Sequence, residues 1–372
     1  MLVLAAPNAF KNALTAEEAA HAIERGIHAA DPSHTCIRHP IADGGDGTGD
    51  LLIGHLQADR IGGMAAGPFG QPVPATFGWL VSERTAIIDM STASGIRLVP
   101  RERLDPTIAT SLGTGELLRR ALDMGARRIL VGMGGSATVD GGMGILQALG
   151  AVFRDADGRI LQTPGELTRL AAIDLSQWDM RTLETDISIL CDVDNPLLGP
   201  EGSAAVFGPQ KGATPEMVTR LDAGLARLRE IALTLTGRDM AGVPHAGTAG
   251  GAAAGLHALA GAKPVNGIEQ FLDITAFEER LREADIVVTG EGSLDSQTLN
   301  GKGPFGVARR AKALGKTVIG LAGRVDDPEG LLKPHFDILR DINNGPVTDL
   351  AAALARTEQN LQQAMRNILT RP

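Results

Sequence analysis

Arg127 to Gly150 reads RRILVGMGGSATVDGGMGILQALG, and how this stretch folds decides how the rest of the chain is read. Ile129-Leu130-Val131 has the make-up of a short buried strand, and Ile145, Leu146 and Leu149 mark the apolar face of a short helix. Between them lie Gly132, Gly134, Gly135, Ser136, Ala137, Thr138, Asp140, Gly141 and Gly142. Glycine lets backbone N–H groups turn outward and approach a ligand closely, and a following helix N-terminus adds partial positive charge. The order strand, glycine loop, helix describes either a cradle for phosphate or a tight turn with no ligand.

Repetition tips the choice toward a ligand. Cys36–Ile41 runs into Ala42-Asp43-Gly44-Gly45-Asp46-Gly47-Thr48, and Ile187–Leu190 into Cys191-Asp192-Val193-Asp194-Asn195-Pro196. Ile286–Val288 runs into Thr289-Gly290-Glu291-Gly292-Ser293-Leu294-Asp295-Ser296. Each is an apolar β-type run whose carboxyl end opens into glycine and carboxylate. In open α/β sheets ligands gather at the carboxyl ends of strands, so these loops are expected to converge on one crevice. Carboxylates beside phosphate-binding glycines suggest a magnesium–nucleotide site.

Outward from that core, Leu2–Ala6 reads as a first buried strand. Thr15-Ala16-Glu17-Glu18 is a capping-box pattern, and Ile23 and Ile27 follow one helical turn apart. The loop Pro7–Asn12 therefore puts Lys11 at a strand's carboxyl end. A second strand ends near Ile41 and a helix around Leu51–Leu56 follows, which is βαβα grammar. From Asp59 to Met90 the texture changes: Thr76–Val81 and Thr85–Ile88 are separated by turn signals, which predicts antiparallel hairpins and the start of an inserted second domain. Helices are expected over Glu116–Met124 and Pro215–Thr234, with Arg154–Asp186 polar and irregular. From Asp285 the βα rhythm returns: strands at Ile286–Val288, Thr317–Leu321 and Phe336–Leu339, a helix over Pro304–Leu314, and a last helix from Thr348. These changes divide the chain into residues 1–58 with 285–372, and residues 59–284.

Bulk properties narrow the function. A chain of 372 residues is expected to form roughly two domains. The 47 glycines imply many turns and close backbone approaches. Aromatics at 3%, with no tyrosine, argue against stacking platforms for single strands, and a net charge of -9 argues against any nucleic-acid partner. Cys36 and Cys191 lack metal-ligand spacing and read as reduced thiols of a cytoplasmic protein. Met1–Ala6 has no basic flank for a signal peptide, and no apolar run reaches the roughly 20 residues that span a bilayer.

Of two nucleotide signatures, one fails and the other leaves a dinucleotide-binding dehydrogenase as a minor alternative. Gly315-Lys316-Thr317 resembles the end of a phosphate-binding loop, but Arg310 stands where its first glycine belongs, and Lys316 precedes a strand. Gly132-Met133-Gly134-Gly135-Ser136-Ala137 fits a dinucleotide fingerprint, yet no acidic strand end follows at the required distance. Asp192, Asp194, Glu291 and Asp295 are candidates for magnesium binding and for a general base, because phosphoryl transfer needs a cation to neutralise phosphate and a carboxylate to orient the attacking hydroxyl. Asp140 and Asp46 read equally well as turn caps. Lys11, Lys211 and Lys302, in NAFKNAL, FGPQKGA and LNGKGPFG, can pair with phosphate or with a substrate carboxylate. Gly247-Thr248-Ala249-Gly250-Gly251, ahead of an alanine-rich helix, reads either as a second anion cradle or as small residues for close packing. The eight histidines show no metal-ligand spacing, and no serine nucleophile elbow appears.

Taken in order, APNAFKNALTAEEAA, IADGGDGT, IDMSTASGI, TSLGTGELLRRAL, GMGGSATVDGGMGILQALG, CDVDNPLLGPEGSAAVFGPQKGA, GTAGGAAAGL and TGEGSLDSQTLNGKGPFGVA resemble the type-1 glycerate kinase family over nearly the whole chain. The resemblance implies transfer of the γ-phosphoryl group of MgATP to D-glycerate, at the 2-hydroxyl as in bacterial members. It also implies a Rossmann-like parallel-sheet domain, a second, inserted α/β domain of mixed sheet, and a site in the interdomain cleft. Carried over position by position, Asp295 is base or metal ligand, Asp192 and Glu291 surround magnesium, and Lys11 faces the substrate carboxylate or the transferred phosphate. Gly134, Gly135, Ser136, Thr138, Gly247, Thr248, Gly250, Gly251 and Lys302 are expected at the nucleotide; Asn8, Asp43 and Lys211 at the acceptor. The chain departs from the family pattern at Asn8, Ala9, Asn12, Asp46, Val139 and Ser293, where the family usually has Asp, Ser, Gly, Glu, Asn and Arg. These departures leave two other readings: a kinase of a related hydroxy- or sugar acid, or a kinase-like ligand-binding protein with weak turnover.

Overall fold

Five strands, Leu2–Ala5, Thr35–Arg38, Ile286–Asp295, Thr317–Asp326 and Ile338–Asp341, pair into one all-parallel sheet, and the apolar stretches of the first, third and fourth form its buried centre. Their order across the sheet is 338–341, 317–326, 286–295, 2–5, 35–38. The computed structural model describes residues 1–299, 301–343, 345 and 347–370. The sheet belongs to a unit made of Met1–Asp43 and Ile268–Pro372, while Gly44–Gly267 forms a second unit.

In the first unit Val3, Ala5, Val288, Ile319 and Leu321 are buried with Ile23 and Ile27 of helix Ala16–Ala30 and Leu361 and Met365 of helix Thr357–Thr370. Strands covered on both faces read as continuous apolar runs, which is why they stood out. Thr15 and Glu18 close the expected capping box, each side chain bonding the other's backbone N–H. The two helices press together at Gly26, where a Cβ would stand 2.6 Å from the Gln362 carbonyl oxygen.

The second unit holds a six-stranded sheet in the order 263–266, 186–191, 128–132, 85–89, 72–80, 59–66. The first four strands are parallel and the last two antiparallel, so the sheet is mixed. An α/β fold with one parallel and one mixed sheet is the architecture that the family resemblance implied. The alanine-rich helix Thr248–Ala260 is buried along its whole length, because its small side chains let backbones close in: a Cβ at Gly255 would lie 1.9 Å from the Gly141 oxygen.

Particular elements differ from expectation. Helix Thr48–Leu56 packs on strands 72–80 and 85–89, and Gly49 N–H donates to Asp89 at 3.1 Å, so the second unit begins at Gly44 rather than near 58. Helix Phe277–Glu283 packs on strand Leu2–Ala5, so the first unit resumes at Ile268 rather than near 285. The stretch expected to be a loop after Val288 remains strand to Asp295, because Thr289–Asp295 pairs with Gly320–Asp326. Gly290 makes that pairing fit: a Cβ there would stand 1.8 Å from the Leu321 oxygen. Within the irregular stretch Arg154–Asp186, a hairpin joins Val152–Asp155 to Leu170–Asp174. The last helix is broken into Leu350–Ala355 and Thr357–Thr370.

Candidate active site

In the first unit the carboxyl end of strand Leu2–Ala5 leads into the loop that carries Asn8 and Lys11. Asn8 N–H donates to the Gly290 oxygen at 2.9 Å, and Phe10 bridges to Leu14, which fixes the loop beside strand 286–295. Asn12 sits at φ 64, a left-handed conformation that asparagine tolerates better than most residues. The Asn8 amide donates to Asp43 Oδ2 at 3.0 Å, and the same oxygen accepts the Gly303 N–H at 3.2 Å. Asp43 thus stands at the N-terminus of helix Gly303–Ala313, where negative charge is favoured.

Glu291 lies next to this group. The residue is half-buried, but its Oε1 atom is enclosed and, among the described residues, has no hydrogen-bond partner. Burial, with the nearby charges of Asp43 and Asp295, pushes its carboxyl up to about 8, while Lys302 and Lys11 pull it the other way. Asp295 is tied into its own turn, accepting the Gln297 N–H at 2.9 Å. Lys11, Asp43, Glu291, Asp295 and Lys302, scattered over most of the chain, are therefore electrostatic neighbours.

The second unit gathers the other candidates. A pocket of about 220 Å³ is lined by Gly134, Gly135, Ser136, Asp192, Lys211 and Ala249 together with Ile96, Met133, Val193, Phe207 and Gln210. Lys211 Nζ donates to the Ser136 hydroxyl at 2.8 Å and to the Thr138 carbonyl at 2.7 Å. The glycine loop is packed from two sides. A Cβ at Gly134 would stand 2.0 Å from Asp46 N, and one at Gly250 would stand 2.1 Å from the Thr138 oxygen. Ala249, Gly250 and Gly251 all have positive φ, so Gly247–Gly251 forms a left-handed turn pressed on Thr138 rather than the straight start of a helix. Gly247 is held by Asn195, and Thr248 lies against the Cys191 thiol.

Other acids are structural. Asp140 is fully buried and accepts from Ser111 N–H and hydroxyl and from the Gly142 and Gly144 N–H groups, at 2.6–3.1 Å. Asp46 pairs with the exposed Arg97 at 2.8 Å. Of the other departures, Val139 is buried, and Ser293 stands in register with Arg324 on the neighbouring strand. Two residues escaped the sequence reading. Asp89 ends strand Thr85–Asp89 and accepts from Gly49 N–H, Ser91 N–H and the Ser91 hydroxyl; burial pushes its carboxyl up to about 6. An apolar run ending in an acid before Ser91 and Thr92 was the signal, the same one used at Asp43 and Asp192. His245 carries no such signal; its Nδ1 lies 2.9 Å from the Val193 oxygen and 2.8 Å from Asp194.

Two α/β units with acids, lysines and glycine loops at the carboxyl ends of their parallel strands are the apparatus of an enzyme, and the comparisons make that enzyme a kinase. The chain belongs to the glycerate kinase family, whose model matches residues 3–371. It is 42% identical over 370 residues to a glycerate kinase of Bacillus subtilis (strain 168), covering 99% of this chain and 97% of that one. It is 41% identical over 374 residues to a glycerate 2-kinase of Escherichia coli (strain K12), with the same coverage. A crystal structure from Salmonella typhimurium LT2, of a protein proposed to be glycerate kinase 2, superposes with a TM-score of 0.81 at 40% identity, covering 99% of this chain and 97% of that one. The family resemblance read from the motifs is borne out.

Proposed function

We propose that the chain transfers the γ-phosphoryl group of ATP, as its magnesium complex, to the 2-hydroxyl of D-glycerate, giving 2-phosphoglycerate and ADP. The observation that carries this reading is the enclosed, unpartnered Glu291 oxygen among Asp43, Asp295, Lys11 and Lys302. Relatives named glycerate kinase and glycerate 2-kinase support the acceptor and the position.

Among the described residues no three of His, Cys, Asp and Glu stand together as a complete metal cage. Magnesium does not need one, since it keeps waters and takes one or two carboxylates plus substrate phosphates. An enclosed carboxylate oxygen with no donor among the described residues, crowded by like charge, fits a hard divalent cation, so Glu291 is the ligand proposed here. When bound, the cation neutralises charge on the phosphates. Asp295 accepts the proton of the attacking hydroxyl. Lys11 and Lys302 counter the charge of the acceptor carboxylate and of the moving phosphoryl group, the positioning and electrostatic work that dominates phosphoryl transfer. In the second unit the Gly134 and Ala137 N–H groups are bound to the Gly44 and Ser94 oxygens, so within Gly134–Thr138 the backbone donors proposed for the nucleotide phosphates are those of Gly135 and Ser136, which line the pocket. Both thiols, Cys36 and Cys191, are free, and burial pushes each up to about 12, which keeps them in the unreactive thiol form.

The test is ADP release with magnesium, ATP and D-glycerate, with the product resolved by ³¹P NMR. Turnover to 2-phosphoglycerate is expected. Tight D-glycerate binding without turnover, or a 3-phosphorylated product, overturns the reading.

A further inference from the structure

Lys211 poses a charge problem that the second unit does not solve internally. The residue is 3% exposed, and both acceptors of its ammonium, the Ser136 hydroxyl and the Thr138 carbonyl, are neutral. Among the described residues it forms no ion pair. Asp140 and Asp192 are the acids whose charge reaches it, and Asp140 is already taken up by four donors. Burying a cation without a counter-ion is costly, and burial accordingly pushes this lysine down to about 7. An ammonium has three hydrogens; two are used, and the residue forms part of the wall of the 220 Å³ pocket beside Gly134, Gly135 and Gln210. Met133 and Phe207 give the wall an apolar part, which strengthens charge interactions inside it, and Asp192 is the one acid that stands in the wall with Lys211.

We propose that this pocket is a subsite for a compact oxyanion, a phosphate or carboxylate group, with Lys211 as its buried counter-charge. A lysine suits the task because its ammonium is a point charge, whereas the flat fork of arginine needs a wider slot. The inference rests on the kinase reading only for its two sources of oxyanion: a nucleotide phosphate or the carboxylate of the acceptor. An anion arriving beside the lysine favours its charged form, so binding at pH 8 draws a proton from solution.

Inorganic pyrophosphate and D-glycerate are titrated separately into the full-length protein and its Lys211→Met variant, by calorimetry at pH 8 in two buffers of different ionisation enthalpy. The wild type is expected to bind one of them with net proton uptake: pyrophosphate marks the nucleotide side, D-glycerate the acceptor side. Lys211→Met is expected to lose at least tenfold in affinity for that ligand and to lose the proton uptake. It should melt at the same or a higher temperature, since an apolar chain of similar volume replaces an unpaired buried charge. Unchanged affinity in the variant, or no binding of either probe by the wild type, overturns the proposal. Should Lys211→Met fail to fold, Lys211→Gln, which keeps a donor for Ser136 and Thr138 without the charge, decides by the same tenfold criterion. Wild-type turnover with D-glycerate tests the kinase reading separately, and pyrophosphate binding through Lys211 stands even if D-glycerate is not the acceptor.

Discussion

The turn around Asp140 and the strand end around Glu291 each enclose one carboxylate beside glycines, and they handle it in opposite ways. Asp140 receives four donors from Ser111, Gly142 and Gly144, so its charge is spent on holding a loop in shape. Glu291 has an oxygen with no partner and two acids for neighbours, and burial raises its carboxyl to about 8. A buried acid whose lone pairs are filled is architecture. One whose lone pairs are empty is held ready for something that comes and goes.

The largest effect that can break this contrast is on turnover. Glu291→Gln and Asp295→Asn should each lower kcat by ~10²- to 10⁴-fold in steady-state assays of folded protein, and near-normal kcat in either removes that residue from the reaction. Glu291→Gln should melt no lower than wild type, because it replaces a carboxyl that burial already disfavours as an anion. Asp140→Ala strands several buried donors and should cost about 3 kcal/mol or more in denaturant unfolding, with kcat of the folded fraction changed little. A loss of turnover there without loss of stability would erase the distinction.

Stability against pH sharpens the contrast further. Glu291 is raised from 4.5 to about 8, so its folded form holds the proton more tightly than the unfolded chain does. Its contribution is complete below pH 4.5 and is lost as pH rises through about 8. Asp89 behaves alike between 3.8 and about 6. Lys211 is lowered from 10.5 to about 7, so its contribution is complete above 10.5 and is lost as pH falls through about 7. Melting temperature should therefore fall with rising pH between 6 and 7 in the wild type and lose most of that slope in Glu291→Gln; an unchanged slope would show that Glu291 titrates normally. The smallest effect is at the surface. Arg97→Ala breaks a pair whose arginine side chain is 83% exposed, and it should change stability by no more than about 1 kcal/mol.

Much of the fold was visible in the order of residues. Ile129–Val131 and Ile286–Val288 announced buried parallel strands, and Thr15 with Glu18 announced a helix start, because these signals depend on neighbours in sequence. The unit limits were less visible. Leu51–Leu56 reads as a helix wherever it docks, and only its packing on strands 72–80 and 85–89 places it in the second unit. Among the site candidates, Asp43, Glu291 and Asp295 came from strand ends bearing glycine and acid, and Lys11 and Lys302 from loops with glycine, proline or asparagine beside them. That same pattern marked Asp140 and Asp46 without saying that one would be saturated by donors and the other paired with Arg97.

By itself the sequence determined the α/β class, the succession of strands and helices, and the family, since periodicity, caps and motif spacing are written locally. Tertiary structure alone decided which carboxylates kept a free oxygen and whether Lys211 would meet a counter-charge. The energy of a buried charge depends on donors and acids brought in from distant segments, and linear order does not state those distances.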